Sequence, residues 1–179
     1  MKHNIFSTPV WHIEGTPQVL VDELYQGAYR FKERYPSENR SGAGGYQTPI
    51  LEWELFHPQG KEYIKVAINE CDNQVFKSFN IQGWWYNINS QGHSNIPHSH
   101  PRSHFAVVLY LTDSDRLLRF ISPHHMRIKS VDHDAYENNW SIDAKKGDIL
   151  IFPADVIHYV MPNQREEDRI SISMNLQLC

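Results

Sequence analysis

The sequence has little of what would tie it to an oxidising compartment, a membrane or a nucleic acid. Its two cysteines, Cys71 and Cys179, lie far apart, so they support neither a disulfide framework nor a thiolate metal site. No apolar stretch approaches the ~18 residues of a membrane span, and the N-terminus has no apolar signal-peptide core. No basic cluster extends beyond Lys145 and Lys146, and the net charge is −4. We therefore expect a cytoplasmic protein that binds neither membranes nor nucleic acid.

Apolar residues are present in the amount that a packed domain needs. Of the 179 residues, 40% are hydrophobic and 12% aromatic, whereas a disordered chain lacks the apolar area to offset its ordering entropy. This length favours one domain over two. We predict a single domain over residues 1–179, in which residues 1–78 form mainly helical support with a flanking strand and residues 79–179 form the β core.

The first part of the chain carries helical signals. An opening strand is expected within residues 4–13. Thr16 is a plausible N-cap with Pro17 at the first helical position, and Pro36 stops that helix. A second helix is predicted over residues 58–76 from apolar residues at helical spacing. The segment "SENRSGAGGYQTP" between them has no periodic pattern and is predicted to be a loop.

From residue 79 onward the pattern changes to short apolar or alternating runs separated by turns. Six such runs, "FNIQGWWYNIN", "HFAVVLYLT", "LLRFISP", "DILIFPA", "IHYVMP" and "RISISMNLQL", predict a mostly β sandwich or barrel. The long segment between the third and fourth runs is predicted to be an irregular loop with one strand around residues 140–142. Its His124, His125, His133, Tyr136 and Trp140 are candidates for substrate contact, or else ordinary solvated loop residues.

Histidines gather in the stretch "NIPHSHPRSH". His98 and His100 are one residue apart at the edge of a predicted strand, so both side chains point to the same face. His158 follows a turn and opens a later strand, and such strand starts converge at the mouth of a small barrel. Three imidazoles on one face leave open coordination positions, as a non-haem Fe(II) or a catalytic Zn²⁺ requires. Strand register decides whether His100 or His104 completes the set.

The last run, "RISISMNLQL", alternates strictly. Ile170, Ile172, Met174 and Leu176 share one face, and the other face carries polar side chains from Arg169, Ser171, Ser173 and Asn175. The polar face either meets water or lines the barrel. In a barrel, Arg169 offers a fork for bidentate binding of a carboxylate, with the Ser171 hydroxyl beside it.

These segments together resemble a known family. "WWYNINSQGHSNIPHSHP", "KKGDILIFPADVIHYVMP", "RISISMN" and the earlier "SGAGGYQT" are similar to the 2-oxoglutarate/Fe(II) oxygenases of bacteria and phages. The resemblance implies a double-stranded β-helix, or jelly roll, flanked by about two α-helices. It also implies Fe(II), 2-oxoglutarate and O₂ as cofactor and cosubstrates, with His98 and His158 as metal ligands. Arg169 and Ser171 would bind the distal carboxylate of 2-oxoglutarate, and Tyr110 is a further candidate contact or a plain barrel aromatic.

One position departs from the family's HxD…H pattern. His100 stands where the family has a carboxylate, so either it ligates the metal or water fills that position. The implied activity is oxidative decarboxylation of 2-oxoglutarate to succinate, coupled to hydroxylation of an unknown small-molecule or protein side-chain substrate. Asn87 and Asn95 are further polar candidates near the mouth, where they orient substrate or cap turns.

Three other functions fit parts of the pattern. A cupin shares the architecture and also uses HxH with a distant histidine, although His104 stands where its first motif has Glu. A cupin would bind metal without needing 2-oxoglutarate. A non-enzymatic jelly-roll module would need none of the histidines. Hydrolysis at a three-histidine Zn²⁺ site does not explain the Arg169 strand. The oligomeric state does not follow from one sequence.

Overall fold

The computed structural model describes residues 7–38, 40–122 and 139–179. The described residues form two α-helices, α1 (Gln18–Arg34) and α2 (Pro58–Cys71), and a short 3₁₀ helix, Trp53–Leu55. Their strands are β1 (Trp11–Ile13), β2 (Gly42–Ala43), β3 (Tyr46–Gln47), β4 (Phe79–Asn89), β5 (Ser94–His98), β6 (Phe105–Tyr110), β7 (Leu118–Ile121), β8 (Asn139–Ser141), β9 (Ile149–Pro153), β10 (His158–Val160) and β11 (Arg169–Leu178). The predicted mostly β fold with two flanking helices is confirmed.

The strands form two antiparallel sheets that face each other as a double-stranded β-helix. The larger sheet has the order β1-β9-β6-β11-β4-β3, and the smaller one has the order β2-β5-β10-β7-β8. β11 lies at the centre of the larger sheet, between β6 and β4, and is paired over most of its length. Because β11 has a neighbouring strand on each edge, its side chains contact only what lies on the two faces of the sheet, which can be a packed core or a cavity.

Two separate cores explain how the helices relate to the sheets. One core joins the inner faces of α1 and α2 to the outer face of the larger sheet, where Ile172 and Met174 are fully buried. The other lies between the two sheets and includes Val108, Phe120 and Phe152. The helices therefore cover the outer face of β11, and the polar residues of its other face point into the space between the sheets. The solvated alternative for that polar face is wrong.

Several predicted boundaries differ from the structure. α1 begins one residue later than expected, with Pro17 at the cap position, and Thr16 makes no side-chain cap hydrogen bond. α2 ends at Cys71, because Asp72 leaves the helical conformation and its carboxylate accepts hydrogen bonds from two following backbone N–H groups. β8 covers residues 139–141. The opening strand is confirmed only at Trp11–Ile13, since residues 1–6 lie outside the described residues.

The glycine-rich segment predicted to be a loop contains two short strands. β2 pairs with β5 at the edge of the smaller sheet, and β3 pairs with β4 at the edge of the larger one. Gly44, between them, has a φ of +85°, a left-handed conformation that glycine adopts without strain. The segment therefore joins the two sheets at one side of the cavity between them.

No helix in the described part of the chain has the length and apolarity needed to cross a lipid bilayer. His124, His125, His133 and Tyr136, which the sequence offers as substrate contacts, lie outside the described residues.

Candidate metal centre

Three histidines meet at one end of the cavity between the sheets. His98 ends β5 and His158 begins β10, and these two residues are paired across the smaller sheet. His100 follows β5, and its backbone N–H donates to the Ala154 carbonyl at 2.7 Å, which attaches it to the turn after β9. One ring nitrogen from each histidine lies within 4.8 Å of the others. Nitrogen atoms this close together could be ligands of a single ion.

The outward nitrogen of each ring is engaged by an oxygen. The Nδ1 atoms of His98 and His158 lie 2.7 Å and 2.9 Å from the carbonyl oxygens of Ile96 and Val156. His100 Nδ1 lies 2.7 Å from the side-chain oxygen of Asn175. Because these oxygens only accept, each Nδ1 carries the proton, and each Nε2 keeps a free lone pair. This is the tautomer that binds a metal through Nε2.

Burial keeps the three rings neutral. It lowers the pKa of His100 to about 4 and that of His158 to about 3, and it also lowers the pKa of His98. The proximity of the rings acts in the same direction, because a proton on one ring disfavours a proton on the next. At neutral pH the cluster therefore presents three unprotonated nitrogen donors, as a metal site requires.

We expect the apoprotein to lose stability as the pH falls below about 6.5. Unfolded histidines bind protons near that pH, whereas His100 and His158 in the folded protein resist protonation until pH 4 or lower, so acid favours the unfolded state. Urea unfolding of the metal-free protein between pH 7.5 and 4.5 tests this. His158→Gln should flatten the pH dependence, and an equal slope in that variant would contradict it.

Arg169 lies in the same pocket and is buried, and no carboxylate of the described residues forms a direct ion pair with it. Asp115, which is paired with Arg165, acts on Arg169 only at longer range. Its side chain is 4% exposed, and its Nε and Nη1 atoms have no hydrogen-bond partner among the described residues. The guanidinium carbon lies 5.5 Å from the centre of the Tyr110 ring. Burial lowers the pKa of Arg169, although arginine stays charged at neutral pH. A buried cation with unsatisfied N–H groups is costly unless an anion pairs with it.

Tyr110 and Ser171 are neighbours of Arg169 in the pocket. They are opposite each other on the paired strands β6 and β11, and both are buried. The Tyr110 hydroxyl has no partner among the described residues, and burial raises the pKa of that hydroxyl to about 12. It is therefore a protonated hydrogen-bond donor at neutral pH. The structure thus brings together six candidates around one pocket, namely His98, His100, Tyr110, His158, Arg169 and Ser171, whereas Trp140, in β8, does not line it.

A hydrogen-bonded polar wall closes one side of the pocket. Gln47 Nε2 donates to Asn87 Oδ1 at 2.7 Å, and Asn87 Nδ2 donates to Ser173 Oγ at 3.0 Å. Asn95 Nδ2 donates to Ser41 Oγ at 3.3 Å. The candidates Asn87 and Asn95 therefore line the pocket, but their side-chain amides already form hydrogen bonds with Gln47, Ser173 and Ser41. This wall is preorganised by the glycine-rich segment.

Three positions at the candidate site escape sequence reasoning. Asn175 lies on the polar face of β11, where the sequence gives it no role, although its side-chain oxygen faces His100 Nδ1. Gln47 and Trp85 line the pocket, and only their place in the quoted glycine-rich and "WWYNIN" segments points to them.

His104, the alternative to His100, is not in the cluster, because its Nδ1 accepts from the Leu178 N–H at 3.0 Å. The question of which histidine joins the group is thereby settled in favour of His100.

We expect Asn175→Leu to weaken metal binding by roughly 10- to 100-fold, the usual effect of losing a partner that orients a ligand. His100 Nδ1 would lose its acceptor, so its tautomer and ring angle would no longer be fixed. Asn175→Asp keeps an acceptor oxygen and serves as the matched control. Co(II) titration followed by visible absorption measures both affinities. Equal weakening in the two variants would indicate that Asn175 acts through packing and not through the His100 ring.

Comparison with known proteins adds an independent result. A family model described as "Putative 2OG-Fe(II) oxygenase" matches residues 83–175. None of the curated proteins is significantly similar in sequence. A Pseudomonas putida prolyl-4-hydroxylase has a similar structure, with a TM-score of 0.64 and 15% identity over 97% of this chain and 94% of the other.

Two further solved structures are similar. HygX from Streptomyces hygroscopicus, solved with nickel and 2-oxoglutarate bound, has a TM-score of 0.66 and 10% identity, over 96% of this chain and 83% of the other. The viral collagen prolyl hydroxylase of Paramecium Bursaria Chlorella virus-1, solved with 2OG, has a TM-score of 0.62 and 13% identity, over 95% and 96%. At these identities the likeness establishes a shared fold.

Proposed function

Because this chain belongs to the 2OG-Fe(II) oxygenase family, we propose that His98, His100 and His158 hold its Fe(II) and that Arg169 binds the distal carboxylate of 2-oxoglutarate. The protein is a non-haem Fe(II)- and 2-oxoglutarate-dependent oxygenase. Bound iron supplies the chemistry by which 2-oxoglutarate is decarboxylated to succinate and CO₂ while O₂ oxidises a second substrate, normally by hydroxylation. The residues of the chain bind, orient and shield the reactants.

The observation that carries the proposal is the buried guanidinium of Arg169, which has no direct ion-pair partner among the described residues. A buried guanidinium with two unsatisfied nitrogen atoms, in a pocket that also contains three metal-competent imidazoles, fits a dianion that spans the two. The guanidinium fork suits bidentate pairing with a carboxylate. The Tyr110 hydroxyl is free to donate to the same carboxylate, and Ser171 lies beside it. A cupin or a plain binding module gives Arg169 no role.

The residues present fit the iron as well as the cosubstrate. Three neutral Nε2 donors on one side of an ion leave its other side open for the chelating end of 2-oxoglutarate and for O₂. The departure from the family is the charge of the third ligand, since His100 is neutral where a carboxylate is usual. The geometry supports ligation by His100 itself, because its ring is buried, held by Asn175 and turned toward the other two.

The location and the substrate class extend this proposal. We propose a reducing, cytoplasmic location, which the two unpaired cysteines support. The second substrate is a small molecule or a protein side chain.

Anaerobic titration of the Fe(II)-loaded protein with 2-oxoglutarate tests the proposal. We expect the weak visible metal-to-ligand charge-transfer band of a chelated 2-oxo acid to appear and to saturate at one equivalent per site. The Zn²⁺-loaded protein is the control and should give no band, because Zn²⁺ is redox-inactive and its filled d shell lies too low in energy for charge transfer to the ligand. Stoichiometric iron without any band would favour the cupin alternative, and failure to bind iron would contradict the metal site itself.

A further inference from the structure

The pocket has an unusual charge balance, and the inference drawn from it rests on the proposed function. Among the described residues that line the pocket, none is an aspartate or a glutamate. Its charged lining side chain is Arg169, and the three histidines are held in the neutral tautomer by the oxygens that their Nδ1 atoms face. No side chain of the lining therefore offsets positive charge. Asp115 acts on Arg169 from outside the lining, but its carboxylate is already paired with Arg165.

The loaded pocket keeps one positive charge. Fe(II) contributes two positive charges and Arg169 contributes one, whereas 2-oxoglutarate contributes two negative charges. With a carboxylate at the position of His100, the sum would be zero. A net charge enclosed by protein is unfavourable until a counter-charge joins it, so the loaded site favours an anion over a neutral group of the same shape.

A second cation lies on the His100 side of the pocket. The Arg40 guanidinium carbon is 5.2 Å from the centre of the Trp85 ring, and the Trp85 ring lies 5.5 Å from that of His100. Arg40 is held by the Thr48 carbonyl at 2.9 Å and by Glu38 at 2.7 Å. Arg40 and Glu38 form an ion pair in which the Arg40 side chain is 32% exposed and the Glu38 side chain 52%, and water weakens a partly exposed pair of this kind.

We propose that the primary substrate carries an anionic group, a carboxylate in the simplest case, and that this group enters on the side of His100, Trp85 and Arg40. Because His100 is neutral, the loaded pocket keeps a net positive charge. Arg40 provides a cation on this side of the pocket that can pair with an anionic group of the substrate. The presence of histidine instead of a carboxylate at position 100 thus affects the choice of substrate as well as the binding of the metal.

The test uses acetate and acetamide as probes of equal shape and different charge. Each is added to the anaerobic Fe(II)·2-oxoglutarate protein at saturating 2-oxoglutarate and constant ionic strength, and the shift of the charge-transfer band reports binding. We expect acetate to bind at least tenfold more tightly than acetamide. Equal binding, or tighter binding of acetamide, would overturn the inference in the native protein, without any variant.

Two variants separate the contributions. His100→Asp should remove most of the acetate preference, and Arg40→Gln should weaken acetate binding about fivefold while leaving the 2-oxoglutarate titration unchanged. Arg34→Gln, at an exposed arginine in the last turn of α1 that does not line the pocket, is the matched control and should change neither. An undiminished preference in both His100→Asp and Arg40→Gln would overturn the assignment of the anion to this side. Absence of the 2-oxoglutarate band before any probe is added would instead refute the proposed function, and this inference with it.

Discussion

Replacing Arg169 by alanine should raise the 2-oxoglutarate concentration needed for half-saturation of the charge-transfer band by roughly 100-fold. Removing one member of a buried, hydrogen-bonded charge pair costs about 2 to 5 kcal/mol, and 1.4 kcal/mol corresponds to a factor of ten. Metal affinity should stay within about twofold of the native value, because Arg169 faces the far end of the ligand. Arg169→Lys keeps the charge without the fork, and we expect an intermediate loss of about tenfold.

The choice of ligand separates recognition of the carboxylate from a general disturbance of the pocket. 2-Oxovalerate has the same chain length as 2-oxoglutarate but lacks the distal carboxylate, so its binding should change little between native protein and Arg169→Ala. A parallel loss for both ligands would contradict pairing between Arg169 and the distal carboxylate. Unchanged 2-oxoglutarate affinity in the variant would contradict it outright.

Stability gives a second readout for the same variant. In the apoprotein Arg169 is a buried charge with two unsatisfied nitrogen atoms, so its removal relieves a desolvation cost. We expect the free energy of unfolding of Arg169→Ala apoprotein to be equal to or higher than that of the native apoprotein, unlike the usual core truncation. This combination, lost ligand affinity without lost stability, is characteristic of a residue retained for binding.

The strand that carries Arg169 shows how much the sequence can predict. The strict alternation of residues 169–178 predicts two faces, and the structure confirms them. Alternation alone does not say what each face meets, because a polar face suits both water and a hydrophilic cavity. Only the pairing of β11 between β6 and β4, together with the helices on the outer face, places Arg169, Ser171 and Ser173 inside.

Local sequence patterns do not identify residues whose role depends on a partner far away in the sequence. Asn175 contacts His100 from 75 residues away, and no local pattern encodes that distance. β2 and β3 have two residues each, too few for any periodicity, and they exist because β5 and β4 offer them hydrogen-bonding edges. The choice of His100 over His104 likewise depends on the contact of His104 with the last strand.

The histidine cluster leads to the second large effect, the loss of metal in His158→Ala. His158 supplies one of three nitrogen donors, and it begins the strand that pairs with the strand ending in His98. We expect affinity for Fe(II), measured by anaerobic equilibrium dialysis, to fall by at least about 100-fold, beyond the 10- to 100-fold range typical of outer partners. The Co(II) affinity should fall in parallel.

His104→Ala is the matched control for His158→Ala. His104 belongs to the same histidine-rich stretch, but its ring accepts a hydrogen bond from the Leu178 N–H and lies outside the three-histidine group. It should therefore keep native metal affinity, at the cost of some stability from the lost contact with the last strand. Since truncating the buried His158 also leaves a cavity, circular dichroism must show both variants folded. Native affinity in folded His158→Ala would disprove the cluster as the metal site, and equal loss in His104→Ala would attribute the effect to the fold.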